Sequence, residues 1–311
     1  MFRAISSVAF AAFLISGVNS SPVIRDGSQG GSVSAQVGYD PDLVRVLTDD
    51  DIIPEVRYVN YDDLRLNQTF DIVEPFIPDE VSSDDVVEKR YINGPDDRYV
   101  YSSTAYPFGA TGKLYWSNGV FCSGALIGPR HVLTAKHCLV EGASGTFAPG
   151  FDNGPRLGSG QVTLWVTTGI EWGTPCGWKG DWAVLILDNR LGDQYGYFGA
   201  KFPDPGLQDR PIFNHIGYPG DRDSGNRPYR TPGNTVQSSR RWDCDSTGPF
   251  YTDTDCMGGQ SGGPHWQDDN GNPYIWGTLS VTFGQGNVAW AGWGSGNEMV
   301  ETIGRLRTEF P

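Results

Sequence analysis

The residues best suited to chemistry lie in the glycine-rich run Gly258–Pro264, which has Ser261 near its centre. Glycines on both sides of a serine let the backbone turn tightly, so that the amides of Gly259 and Ser261 can point toward one oxygen. Two such amides stabilise the oxyanion that forms when a serine hydroxyl attacks a carbonyl. The run therefore predicts Ser261 as a nucleophile in its oxyanion loop, although in isolation a glycine-rich surface turn has the same composition.

Two other segments supply the partners that a serine nucleophile needs. His137 follows the run Leu133–Lys136, and a neutral imidazole there can take the serine proton and return it to a leaving group. Asp181 opens the apolar run Trp182–Leu187, which has the composition of a buried strand. A carboxylate at that edge is costly unless it is hydrogen-bonded, so we expect Asp181 to orient the imidazole.

The same serine motif, G-x-S-x-G, also occurs in the nucleophile elbow of α/β-hydrolases. In that fold the chain order is serine, acid, histidine. The only histidine after Ser261 is His265, which is too close to be delivered by a separate loop. The order of candidates therefore argues against an α/β-hydrolase.

The elements that must position these residues are strands. From residue 91 onward, short β-branched or aromatic runs are separated by turn residues such as Asn118–Gly119, which predicts an all-β fold. Four apolar residues near the end of the chain share one helical face after Asn297 and predict a single C-terminal helix; they are Val300, Ile303, Leu306 and Phe310.

The chain divides into three parts by composition. Residues 1–20 have a basic start, an apolar run and small residues, as in a secretory signal peptide. Residues 21–90 are acidic and contain no Cys or Trp, so we expect a loosely structured propeptide with little core. This part ends in Lys89-Arg90, a pair that a processing convertase of a secretory pathway would cleave, although it could also be an ordinary exposed pair. Residues 91–311 would then be the mature domain.

Charge and hydropathy narrow the classes of partner. The formal net charge is -14, and most of it comes from the sixteen acidic and seven basic residues up to Arg90. A mildly acidic mature part lacks the basic stripe that nucleic-acid binding requires. The apolar run near the N-terminus is too short to span a membrane. These observations favour a secreted, extracellular protein without a nucleic-acid or membrane partner.

All five cysteines lie in the predicted mature part. In a secreted chain they are expected to form disulfides, and no C-x-x-C or H-E-x-x-H spacing indicates a metal site. Cys122 and Cys138 flank a strand-like stretch and would fix the loop that carries His137. Cys244 and Cys256 could close a short loop before Ser261. This pairing leaves Cys176 over, either as a buried thiol or as a link to another chain.

The order His137, Asp181, Ser261 resembles that of the trypsin/chymotrypsin-like serine proteases, with matching motifs in Phe121–Ile127 and Thr134–Cys138. Within this family the chain is most similar to the glutamyl-endopeptidase branch, through three motifs; they are Gly94–Arg98, Ala105–Pro107 and Gly217–Asp221. The resemblance implies two packed six-stranded antiparallel barrels, at about 91–192 and about 193–311, with the triad between them.

The chain also departs from this family at two places. Trypsin has an aspartate before its nucleophile, which pairs with the new N-terminus, and here that position is Gln260. The resemblance assigns Asp255, Leu279 and Ser280 to the specificity pocket. By resemblance to trypsin, Asp255 would select Lys or Arg, although glutamyl relatives can also carry an aspartate there outside the working pocket. Leu279 stands where glutamyl enzymes usually have a histidine. The cleavage preference, whether for Glu or Asp, for Lys or Arg, or for another residue, therefore stays open.

Together these patterns predict a secreted serine endopeptidase that acts on protein or peptide substrates through an acyl-enzyme, without a cofactor or metal. Two alternatives use the same fold. One is a catalytically inactive, protease-like binding protein, which the presence of all three triad residues disfavours. The other is a secreted esterase, which differs only in its substrate.

Overall fold

The computed structural model describes residues 24–25, 32–34, 37–78, 96–285 and 288–311. Two β-sheets of eight and eleven strands dominate these residues, with a few short helices and one longer C-terminal helix. The predicted all-β class is confirmed. The predicted signal peptide and the Lys89-Arg90 cleavage site lie outside the described residues, and the boundaries between propeptide, first barrel and second barrel stay predictions.

The first sheet closes into a barrel. Its eight strands are β3 (Gly38–Tyr39), β4 (Glu55–Val59), β7 (Thr111–Trp116), β8 (Val120–Leu126), β9 (His131–Thr134), β10 (Gly145–Pro149), β11 (Gly160–Thr168) and β12 (Ala183–Leu187). Six of them pair antiparallel in the order β10-β7-β8-β9-β12-β11, and β10 then pairs with β11 to complete the circle. The two strands from the N-terminal region pair with this barrel, β3 with β8 and β4 with β11.

Burial explains why these segments form strands. Every residue of β12 is buried, as its unbroken apolar run predicts for a strand covered on both faces. The hairpin from β7 to β8 turns through Asn118 and Gly119 as predicted, and Gly119 has a φ of +92° that a glycine adopts without strain. The two strands that flank His137 and Asp181, β9 and β12, are hydrogen-bonded neighbours.

The second half has eleven strands in one sheet: β1 (Ile24–Arg25), β2 (Ser32–Ser34), β5 (Ile72–Val73), β6 (Tyr99–Val100), β13 (Gly199–Lys201), β14 (Phe213–Gly217), β15 (Tyr229–Asn234), β16 (Phe250–Thr252), β17 (Pro264–Asp269), β18 (Asn272–Gln285) and β19 (Val288–Ser295). The long strand β18 lies at its centre and pairs with β17, β19, β13 and β2. Six of these strands pair antiparallel around a ring, in the order β14-β15-β16-β19-β18-β17 and back to β14, and a bridge between Val236 and Thr252 joins the end of β15 to β16. The second six-stranded arrangement that the resemblance implied is therefore present in the described residues.

The C-terminal helix is confirmed. It begins at Asn297 itself, after Gly296, and its predicted apolar face is buried at Val300, Ile303 and Leu306. In the described residues, no helix has the length and apolar character needed to cross a membrane. The helices are α1 (Tyr61–Leu66), α2 (Pro175–Lys179), α3 (Leu191–Tyr195) and α4 (Asn297–Glu309).

The expectation of a loosely structured propeptide is wrong for residues 37–78. These residues form β3, β4, α1 and β5 and lie along both sheets. They build little core of their own, as the composition indicates, but they pair with strand edges of the larger domain and bury Leu64 and Val73 against it. The composition of this region indicates that it lacks a core of its own. It cannot show that the sheets of the larger domain have free strand edges with which the region can pair.

The cysteine pairing is partly confirmed. Cys122 and Cys138 form the predicted disulfide. The predicted bond between Cys244 and Cys256 is wrong, because Cys244 bonds to Cys176 and Cys256 is a free thiol. Cys176 lies in α2, in the loop before Asp181, so this bond fixes that loop to the second half of the molecule. Sequence proximity favoured the short loop, whereas the fold brings the distant pair together.

This pairing predicts different effects for two single substitutions. Cys176→Ser should lower the free energy of unfolding by about 4 kcal/mol, because the bond closes a loop of 68 residues. Cys256→Ser removes a half-buried thiol without a disulfide partner and should cost only about 1 kcal/mol. Urea unfolding under oxidising conditions measures both. An equal or larger cost for Cys256→Ser would support the Cys244–Cys256 bond instead.

Candidate active site

The structure places His137 in a single turn of 3-10 helix, Lys136–Cys138, directly after β9. The disulfide from Cys138 to Cys122 ties this turn to β8. His137 Nδ1 lies 2.7 Å from Asp181 Oδ2, and the backbone amide of His137 donates to Asp181 Oδ1 at 3.0 Å. A carboxylate on Nδ1 fixes the tautomer in which Nδ1 carries the proton, so Nε2 is left as the acceptor. Nε2 is buried and has no hydrogen-bond partner in the described residues.

Asp181 is almost completely buried, with 1% of its surface exposed. Ser280 Oγ donates a third hydrogen bond to its carboxylate, at 2.6 Å. Burial acts to raise the pKa of Asp181, but the charge of a protonated His137 and the hydrogen bonds from His137 and Ser280 outweigh it. The pKa therefore lies below its ordinary value, and the carboxylate is ionised when it faces the imidazole. Ser280, which the sequence assigned to the pocket, thus supports Asp181 as well.

Ser261 lies in the loop before β17, and its segment is packed against the one that carries His137. Its carbonyl oxygen accepts a hydrogen bond from Ser123 N at 2.8 Å. The next residue, Gly262, has a φ of +81°, and a Cβ atom there would lie 2.1 Å from Thr134 Oγ1 and 2.9 Å from Ala135 N. Only glycine allows this close approach to the residues that precede His137.

The loop before Ser261 has the tight backbone that the sequence predicted. Gly259 has a φ of +96°, and a Cβ atom there would lie 2.4 Å from the carbonyl oxygen of Tyr218. Ser123 Oγ donates to the carbonyl oxygen of Gly259 at 2.8 Å, which holds the peptide in this orientation. In the described part of the chain the Gly259 amide donates to no other group, so it is available to an oxygen in the cleft.

Gln260, between these two amides, is fully buried and held from three sides. Its Oε1 accepts hydrogen bonds from Arg98 Nη1 at 2.9 Å and from Met257 N at 3.0 Å. Its Nε2 lies 3.2 Å from His215 Nε2, and His215 Nδ1 lies 3.0 Å from the carbonyl oxygen of Pro264. Burial lowers the pKa of His215 to about 4, so this imidazole is neutral and can accept from the amide.

No functional role for Arg98 was predicted from the sequence. Its side chain is only 6% exposed, and its guanidinium also pairs with Asp96 at 2.7 Å and Asp221 at 2.8 Å. Two sequence motifs, Gly94–Arg98 and Gly217–Asp221, contain these partners. From the sequence, these motifs served only as evidence of family resemblance. The opposite charges of Arg98 and Asp221, together with the uncharged Gln260 before the nucleophile, are the signal that could have linked them.

A cavity beside Ser261 contains two of the three residues that the resemblance assigned to the specificity pocket. Its lining comprises Ser261, Leu279 and Ser280, and also Met257, Gly258, Val281 and Thr282. Asp255 is not part of this lining, because its carboxylate faces Asp97 and accepts the amide of Asp97 at 3.2 Å. None of the lining residues is charged, so this cavity offers no ion-pair partner to a glutamate, lysine or arginine side chain of a substrate.

Comparisons with known proteins agree with this architecture. The Trypsin family model matches residues 100–292. A glutamyl endopeptidase of Bacillus licheniformis is 29% identical over 198 residues, which are 62% of this chain and 60% of that relative's length. The similarity to the glutamyl-endopeptidase branch is therefore confirmed, over less than two thirds of that relative.

Solved structures show the same fold. A Glu endopeptidase in complex with MPD has a TM-score of 0.57 at 23% identity, and covers 69% of this chain and 98% of its own. The thermostable serine protease AL20 of an extremophilic microorganism has a TM-score of 0.53 at 21% identity, with 65% and 98% covered. Human heparin binding protein has a TM-score of 0.51 at 18% identity, with 70% and 97% covered. At these identities the likeness concerns the fold alone.

Proposed function

The chain belongs to the trypsin family of serine proteases, and we propose that it is a secreted endopeptidase with His137, Asp181 and Ser261 as its triad. The observation that carries this proposal is the buried hydrogen bond of 2.7 Å between His137 and Asp181, beside the packed segment of Ser261. A triad with an oxyanion loop hydrolyses peptide bonds with its own side chains and amides, so the proposed reaction needs no cofactor.

In the proposed mechanism Ser261 Oγ attacks the carbonyl carbon of a peptide bond, and His137 Nε2 takes its proton. The amides of Gly259 and Ser261 stabilise the oxyanion of the tetrahedral intermediate. His137 then gives the proton to the leaving amine, which leaves an acyl-enzyme on Ser261. Water, activated by the same imidazole, hydrolyses the ester, while ionised Asp181 stabilises the imidazolium in both steps.

The loop geometry favours a catalyst over an inactive binding protein. Human heparin binding protein has this fold, so the fold alone does not separate the two functions. A protein that only binds has no need for Asp181 to be buried with three hydrogen bonds aimed at one imidazole, nor for a glycine at the strained position 259. An esterase would use the same groups, and a peptide library separates it from an endopeptidase.

A fluorophosphonate probe tests this proposal directly. The chain cleaved after Arg90 should form an adduct on Ser261, located by mass spectrometry, and Ser261→Ala should form none. Ser159→Ala, at an exposed serine far along the chain, is the matched control and should label normally. Because the adduct is irreversible, long incubation traps the enzyme even if the cleft opens rarely. Folded protein that stays unlabelled would support the binding-protein alternative.

A further inference from the structure

Two short strands of the N-terminal region lie on opposite walls of the cleft. β2 pairs antiparallel with β18, where Ser34 is opposite Thr282. β3 pairs antiparallel with β8, where Gly38 is opposite Phe121. Both pairings add a strand of residues 32–39 to a sheet of the larger domain.

These two walls flank the candidate nucleophile. Thr282 follows two residues after Ser280, which hydrogen-bonds Asp181. Phe121 precedes Cys122, whose disulfide reaches the residue after His137. Ser261 contacts both walls, because its carbonyl oxygen accepts from Ser123 N and it lines the cavity that contains Ser280 and Thr282.

From Ser34 to Gly38 the chain advances four residues, which span at most about 14 Å when fully extended. β2 and β3 are therefore close neighbours in the sequence, although they pair with different walls. Extended peptides commonly bind a sheet by adding a strand to its edge, with main-chain hydrogen bonds as the source of affinity. We propose that β2 and β3 lie at the two ends of the position of a peptide substrate and keep the enzyme latent even after cleavage at Arg90. This inference rests on the proposed function.

Cleavage after Arg90 does not by itself release β2 and β3, because residues 55–70 anchor the N-terminal region to the larger domain through contacts of their own. β4 pairs in parallel with β11 over five residue pairs. Glu301, buried in α4, accepts the amides of Thr69 and Phe70 at 2.6 and 2.7 Å. Leu64 is only 2% exposed in this interface. None of these contacts depends on the peptide bond after Arg90, so the cut chain stays bound as a second segment.

Gly38 is the position at which this arrangement is most sensitive to substitution. A Cβ atom there would lie 2.1 Å from Cζ of Phe121, whose ring also packs against Gly259. A valine at position 38 therefore forces β3 away from the cleft wall. Because Gly38 lies in the removable part, the mature enzyme from such a variant has an unchanged sequence, and any gain in rate reports release of the segment.

The experiment compares full-length chains after cleavage at Arg90 by a dibasic-specific convertase. Size-exclusion chromatography tests whether the N-terminal segment stays bound, and the initial rates of fluorophosphonate labelling and of peptide-library hydrolysis are measured. We expect the segment of the wild-type chain to co-elute with the enzyme, and Gly38→Val to be about tenfold or more faster in both assays. Gly169→Val is the matched control, since position 169 is exposed with open space around it, and it should behave as wild type.

Val33→Pro and Ser34→Pro provide a second test in case Gly38→Val folds poorly. Alternate residues of an antiparallel strand direct their N–H groups to one neighbour, so one of these prolines removes a donor to β18 and should also raise the rate. A wild-type complex that retains the segment and reacts as fast as the variants would overturn the inference, as would immediate loss of the segment on cleavage. If no chain labels at Ser261 after long incubation, the proposed function fails, and the inference fails with it.

Discussion

Replacing Asp181 with asparagine is expected to lower kcat by about 10⁴-fold and to change KM little. The carboxylate accepts all three of its hydrogen bonds, from the His137 amide, from His137 Nδ1 and from Ser280 Oγ. The side-chain amide of an asparagine at this position has an NH₂ group, which must face at least one of these three hydrogen-bond donors. If it faces Nδ1, it imposes the tautomer in which Nε2 carries the proton, and Nε2 can then no longer accept the proton of Ser261.

The matched control for this substitution is Asp188→Asn. Asp188 follows the other end of the same strand, β12, is exposed, and accepts the amide of Gln161 at 2.9 Å. It should retain nearly full kcat and show that an Asp-to-Asn change beside β12 is tolerated. Steady-state hydrolysis of a peptide and circular dichroism of each variant provide the comparison. A folded Asp181→Asn enzyme with more than about a tenth of the wild-type kcat would contradict the assigned role.

The sequence was most informative where local patterns decide the structure. The apolar run after Asp181 forms a fully buried strand, and the backbone around Ser261 turns tightly as predicted, with positive φ angles at Gly259 and Gly262. The helical face at the C-terminus is buried as its spacing indicates. In each case the constraint acts on neighbouring residues, through backbone geometry or through one buried face, so it leaves a pattern that can be read along the chain.

The features that the sequence did not predict all depend on residues that are distant in the chain. The bond from Cys176 to Cys244 spans 68 residues, and nothing local favoured it over the nearer Cys256. Residues 55–59 have an ordinary exposed, acidic context and become a strand only because β11 presents an edge to them. Asp255 satisfies the family position for a pocket residue, yet its carboxylate faces Asp97 instead. Such contacts are decided by tertiary packing.

Replacing Arg98 with methionine should lower kcat by about 100-fold while the overall fold is kept, because the loop before Ser261 loses the buried guanidinium that hydrogen-bonds to it. Arg98 Nη1 donates to Gln260 Oε1 at 2.9 Å, and Gln260 stands between the two amides that would hold the oxyanion. A methionine fills a similar volume but leaves this buried carbonyl with one donor fewer. The backbone around Gly259 is then free to leave the conformation that aims both amides into the cleft.

Arg222→Met is the matched control, because Arg222 pairs with the same carboxylate, Asp96, at 2.8 Å but makes no contact with Gln260 in the described residues. We expect it to keep normal kcat. Arg98 is a positioning residue, so the decisive readout is a fall in kcat at nearly constant KM, together with slower fluorophosphonate labelling. Equal losses of kcat in both variants would mean that the ion pairs of Asp96 with Arg98 and Arg222 only stabilise the fold.

The same contact bears on how the enzyme becomes active. In the trypsin mode of activation, a newly formed amino terminus supplies the positive charge that orders the residue before the nucleophile. Here the side chain of Arg98 supplies that charge, and the ion pairs of Arg98 with Asp96 and Asp221 are already present in the uncut chain. We therefore expect the conformation of the loop before Ser261 to be independent of a cut after Arg90. Arg98→Met should consequently slow fluorophosphonate labelling by the same factor in uncut and cut chains, which an N-terminal activation mechanism does not predict.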